Sequence, residues 1–250
     1  MSLFEAQVAE LCQCLTEDGS PLCPLNWREL TPNVPGVQER AGLILQSETL
    51  FELAGPDRSS ALSLAYSNEE RVEGAWLIGR PLADLEEKSC DFGLVVLLSG
   101  KLLDAQTFYQ FTLRFPRLAD HPGWMVKTEK TNIWVRVGGT DCQAVLERAA
   151  ATLISRIHHS FETVETVQLY FVLDDKVLIQ SLQPIAQRCQ NRLRELKTGV
   201  WQERGFDYES CQLAGHCGSC SDKKTCASVR KIQAKVKLVR KEKEKEKCKK

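Results

Sequence analysis

The chain has 250 residues, of which 43% are hydrophobic and 26% charged, the makeup of an ordinary globular protein, and this excludes disorder throughout. It contains no apolar run of about 18 residues, and Met1-Ser2-Leu3-Phe4-Glu5 has neither the basic nor the apolar region of a signal peptide. The expectation is a cytoplasmic protein that neither crosses a membrane nor is exported. Its formal charge of zero hides a split: from Arg230 onward eleven Lys and Arg stand against three Glu, so the tail is basic and the remainder acidic. The alternation Lys241-Glu242-Lys243-Glu244-Lys245 mixes signs and offers no aromatic for base stacking, which makes a nucleic-acid partner an unfavoured reading.

In chain order, Phe4, Val8, Leu11 and Leu15 recur at helical spacing, so residues 4–15 are expected to form an amphipathic helix. The prolines at 21, 24, 32 and 35 keep residues 18–40 irregular, and residues 1–40 read as a lead-in to the domain. Short β-prone runs at 49–54, 60–66 and 74–79, separated by Gly55-Pro56-Asp57 and Asn68-Glu69-Glu70, predict a small antiparallel sheet. Phe92-Gly93-Leu94-Val95-Val96-Leu97-Leu98 is apolar almost without a break, as a strand buried on both faces would be. Asp104 is placed to cap a helix carrying Phe108, Phe111 and Phe115 on one side, with Pro116 as its stop. Two strands follow, Trp124 to Lys127 and Asn132 to Val137, the second placing Ile133, Val135 and Val137 on one face. A helix from Asp141 to about His159, a strand from Val164 to Leu173 and a helix from Asp174 to about Lys197 complete the order. From residue 91 onward this is the succession of the split βαβ pattern. The predicted class is therefore α+β, a ferredoxin-like core over residues 41–200 preceded by the small sheet and followed by a Cys-rich segment, 201–229, and a basic tail, 230–250.

Eleven cysteines at low density, without a leader, point to metal or cluster ligation sooner than to a disulfide scaffold. Cys211, Cys217, Cys220 and Cys226 lie within 16 residues as C-x5-C-x2-C-x5-C, in a stretch too poor in apolar residues to build a core. Four thiolates around one centre would order it. The single C-x2-C pair fits a four-iron, four-sulfide cluster better than structural zinc, which usually takes two close pairs. Zinc stays the alternative, with metal-free reduced thiols behind it. Cys90, Cys142 and Cys189 read as small apolar core residues. Cys12-Gln13-Cys14 falls on a predicted helix, where the extended backbone of a square-planar nickel or copper site is unavailable. Arg136, Arg188 and Arg192 belong to an arginine set that could face an anion, although residues 188 and 192 also suit an ordinary exposed helix face. No phosphate loop, nucleophile elbow or zinc-protease motif is present, and no catalytic residue stands out.

The run Ile78-Gly79-Arg80-Pro81-Leu82-Ala83-Asp84-Leu85-Glu86-Glu87, then Asp91 to Val96, Asn132 to Val137, and Val164 to Val172 followed by an Arg-rich helix, resembles the central region of acetyl-CoA synthase. That enzyme is the β subunit of the carbon monoxide dehydrogenase/acetyl-CoA synthase complex. The likeness spans roughly residues 40–200, and Tyr208-Glu209-Ser210-Cys211 is similar to the entry into the family's cluster domain. It implies four-thiolate iron–sulfur binding at Cys211, Cys217, Cys220 and Cys226, coenzyme A binding in which Arg136, Arg188 and Arg192 take part, and a corrinoid iron–sulfur protein or a carbon monoxide dehydrogenase subunit as partner. Cys217-Gly218-Ser219-Cys220 is not the family's Cys-Gly-Cys, so nickel is not expected. The implied role is an accessory, scaffold or electron-transfer component in corrinoid one-carbon chemistry. The alternatives are an acyltransferase completed by a partner chain and a zinc-stabilised binding module.

Overall fold

A computed structural model describes residues 3–17, 21–30, 43–138 and 144–203. Four helices and nine strands are formed by these residues. The helices are α1 (Glu5–Glu17), α2 (Ala105–Ala119), α3 (Val145–Ser160) and α4 (Lys176–Glu203). The strands are β1 (Cys23–Pro24), β2 (Thr49–Leu53), β3 (Ser60–Ser67), β4 (Gly74–Gly79), β5 (Ser89–Cys90), β6 (Phe92–Ser99), β7 (Trp124–Glu129), β8 (Asn132–Gly138) and β9 (Thr166–Leu173). They make two mixed sheets, ordered β1-β4-β9-β6-β3 and β5-β2-β8-β7. The chain divides into two compact units, Met1–Arg194 and Glu195–Lys250, and the sheets belong to the first.

The α+β class follows the sequence, but the strand pairing departs from it in two ways. The three early strands do not pair with one another: β2 joins β8 and β5, β3 runs parallel to β6, and β4 runs parallel to β9. The turn after β2 diverts the chain instead of closing a hairpin, because Ala54 takes φ 59° and the Ser59 amide donates to Asp91 Oδ1 at 2.5 Å. The four strands of the expected split βαβ sheet are also divided. β6 pairs antiparallel with β9, and β7 with β8. The other edge of β6 is taken by β3 over eight residues, Ser60 against Phe92 through Ser67 against Ser99, so β8 turns to β2. A parallel pair of this kind suits strands buried on both faces, and β6 is buried at every position.

The core lies on both sides of β6 and β9. Phe108 and Phe111 of α2 are wholly buried, Phe4 just before α1 meets Phe108 with ring centroids 5.0 Å apart, and Val8, Leu11 and Leu15 of α1 are buried, so α1 is part of the first unit's core. Each such side chain contributes about 2–3 kcal/mol through burial. Asp104 caps α2 as expected, its Oδ1 accepting from the Thr107 amide at 2.7 Å. Pro116 does not stop this helix, which runs on to Ala119. Burial of Leu118 and Ala119 favours the extra turn, and the Arg156 guanidinium donates to the carbonyls of Arg117, Leu118 and Asp120 at its end. Asp120 Oδ1 accepts from the Val126 amide at 2.6 Å and the Trp124 amide donates to His121 O at 2.9 Å, which occupies two donors on the outer edge of β7.

Two histidines set opposing pH dependences. His121 is 3% exposed and stacks on Trp124, its Nδ1–H donating to Pro122 O at 2.8 Å while Nε2 has no partner among the described residues. Burial first, then the charges of Arg156 and Arg148, hold its pKa down to about 4. The unfolded chain accepts a proton below about 6.5 that the folded chain refuses, so stability should fall by roughly 3 kcal/mol from pH 6.5 to 4. His158, paired through Nε2 with Glu73, has a raised pKa, so its contribution is complete below 6.5 and is lost as pH rises through the folded value. Urea unfolding between pH 4 and 7 should show the acid limb flattened in His121→Phe. An unchanged limb would assign the loss to other groups.

Candidate functional site

Two adjoining cavities open where β2, β4 and β9 end and β3 and β6 begin. Among the described residues this is where the chain brings positive charge, an aromatic ring and strained backbone together. The larger cavity, about 330 Å³, is walled by the turn Ala54-Gly55-Pro56 with Arg58 on one side and by Lys127, Glu129, Asn132 and Trp134 of the β7–β8 hairpin on the other. The smaller, about 140 Å³, lies under the segment that joins β4 to β5, with Arg80, Leu85, Glu86 and Glu87 around it and Cys90 and Asp174 at its base. Arg58 lines both.

Period-two alternation in β8 turns Ile133, Val135 and Val137 into the core and leaves Trp134 and Arg136 on the outward face. The Trp134 indole N–H donates to Glu52 Oε1 at 3.0 Å, while the Arg136 guanidinium lies 4.5 Å and the Lys127 ammonium 5.3 Å from the ring centroid. Arg136 also donates to Ile44 O at 3.2 Å and lies 3.6 Å from Glu52. Lys127 has no ion pair among the described residues, so its charge is available to an incoming anion.

The backbone here is held in uncommon conformations. Asp174 has φ 57° directly after β9, beside Arg80 at 3.5 Å. Gly79 has φ 91°, and a Cβ there would lie 2.0 Å from Leu173 O, so no other residue fits without moving the strand end. Such strain persists where the surroundings enforce it. Cys90 is 2% exposed, and burial, then the carboxylates of Asp174 and Asp91, push its thiol up to about 12. Buried so, it rests as a protonated thiol of low reactivity.

No protein-family model matches the chain, and no curated protein matches it in sequence. The site is therefore read from its own geometry.

Of the predicted site residues, Arg136 lies beside the larger cavity through its contact with Trp134. Arg188, on α4, pairs with Glu10 of α1, and Arg192 follows one turn later on the same helix. Arg136 and Arg188 thus face different carboxylates on different elements. Cys211, Cys217, Cys220 and Cys226, and Cys142, lie outside the described residues. Cys12 and Cys14 sit on α1, as the helical periodicity predicts, and Cys90 and Cys189 are buried. No helix among the described residues is long and apolar enough to cross a membrane. The sequence reading missed Arg58, Lys127 and Glu52. The alternation of β8 already placed Trp134 beside Arg136, but nothing local announces that Arg58, 76 residues before Trp134, will share a cavity with it.

Proposed function

We propose that the chain is an iron–sulfur accessory protein of carbon monoxide dehydrogenase and corrinoid one-carbon chemistry, whose α+β unit binds the anionic end of coenzyme A. The observation that carries this reading is where the acetyl-CoA-synthase-like phrases fall in the fold. Ile78 to Glu87 supplies Arg80, Leu85, Glu86 and Glu87 of the smaller cavity, and Asn132 to Val137 supplies Asn132, Ile133 and Trp134 of the larger one together with the adjacent Arg136. Segments far apart in sequence that share the resemblance line one site. Arg58 and Lys127 provide charge for phosphate, and Trp134 provides a surface for an aromatic ring.

The cluster belongs to the Cys-rich segment. Four thiolates are the soft donor set that an iron–sulfur centre takes, and the cluster would supply one-electron transfer or a docking element for a corrinoid protein. Cys217 and Cys220 are separated by Gly218 and Ser219 where the family's nickel ligands have a single glycine between them, which favours an accessory over a complete acetyl-CoA synthase.

Calorimetric titration at low ionic strength tests the binding half. Coenzyme A should bind saturably and weaken with salt, and Lys127→Gln and Arg136→Gln should each lower affinity by about ten-fold, the size of one charge-assisted contact. Arg188→Gln and Arg192→Gln determine whether α4 contributes. Absence of saturable binding of coenzyme A and of a corrinoid iron–sulfur protein would leave these arginines with structural roles only.

A further inference from the structure

We propose that the Arg58–Glu87 ion pair is a latch that closes the segment 83–87 over the smaller cavity, and that an anion in the larger cavity opens it by taking Arg58 away from Glu87. The proposal rests on the ligand reading above for its trigger but not for its latch.

The segment is anchored at both ends, starts with a single 3-10 turn over Leu82–Asp84, and is largely exposed between the anchors. At one end the Arg80 amide donates to Leu173 O at 3.2 Å and Leu82 is 3% exposed. At the other the Glu52 amide donates to Lys88 O at 2.7 Å, and β5 pairs with β2. Between these anchors Ala83, Asp84, Glu86 and Glu87 are exposed, and the ion pair ties Glu87 across the mouth of the cavity to Arg58. Beneath lies Cys90, whose thiol senses Arg58, Asp91 and Asp174.

Arg58 is the one side chain common to both cavities, so its choice of partner links them. Its side chain is 30% exposed and that of Glu87 is 71% exposed. A pair so exposed contributes little, and a phosphate reaching Arg58 together with Lys127 would compete with it effectively. Released, Glu87 is repelled by the arriving anion and has Glu86 beside it, so the segment moves outward.

The test is the rate at which iodoacetamide labels Cys90 in the full chain, resolved by peptide mass spectrometry, with buried Cys189 as the control for global opening. Glu87→Gln without ligand should label Cys90 about two- to five-fold faster, the range open to an exposed pair, with Cys189 unchanged. Glu87→Asp should stay near wild type. Coenzyme A should raise the wild-type rate to that of Glu87→Gln and leave the variant unaffected. An unchanged rate in Glu87→Gln overturns the latch even where coenzyme A binds. Saturable coenzyme A binding that leaves wild-type labelling unchanged overturns the coupling. Faster labelling in Glu87→Gln with no coenzyme A binding supports the latch and sinks the ligand reading instead.

Discussion

Leu97→Asp should destabilise the first unit by about 4 kcal/mol or more, among the largest effects a single substitution produces. Leu97 is 1% exposed near the end of β6, with Ala65 of β3 on one side and Gln168 of β9 on the other. A carboxylate there has no cation to pair with from those neighbours and must either lose its water or take up a proton. Both routes cost several kcal/mol, far more than the leucine's own burial contributes. For a unit of this size the midpoint of thermal unfolding should fall by about 10 °C or more. A melting temperature equal to that of wild type would remove β6 from the centre of the fold.

Replacing Cys217 or Cys220 by Ser should abolish iron loading while the first unit keeps its thermal transition. The two residues form the C-x2-C pair, whose spacing lets both thiolates reach one centre without strain, and serine offers a harder, more basic oxygen in place of a soft donor. Losing a mere hydrogen-bonding neighbour of a ligand costs a metal site roughly 10- to 100-fold in affinity, so losing a ligand should cost at least that. Protein prepared without oxygen should contain iron and sulfide in equal amounts and show broad sulfur-to-iron charge-transfer absorption, both lost in Cys217→Ser and Cys220→Ser. Cys142→Ser should leave the spectrum unchanged. Stoichiometric zinc without sulfide after attempted reconstitution would replace the cluster with the zinc-stabilised binding module.

What the sequence by itself determined was local. The apolar spacing of Phe4, Val8, Leu11 and Leu15 sets α1, the side-chain oxygen of Asp104 sets the start of α2, and the two-residue alternation from Asn132 to Val137 sets which side chains of β8 turn inward. Each rests on periodicity or on a hydrogen bond three residues away, interactions that the chain carries with it wherever it goes. The β-prone runs at 49–54, 60–66 and 74–79 were legible for the same reason.

Partner choice was not legible in this way. The run Phe92 to Leu98 announces burial on both faces but not which strands flank it, and one edge went to β3, whose own apolar residues fill a parallel position. Pro116 passed as a stop because the guanidinium that sustains the last turn of α2 comes from Arg156, 40 positions later. Arg136 carried a visible charge and spacing, yet Arg58, which faces the same cavity wall, is brought there only by the diversion at Ala54 and the grip of Asp91 on Ser59. Backbone hydrogen bonds are the same for every strand, so tertiary packing decided the pairing through the shape and burial of side chains distant in sequence, and with it the composition of the site.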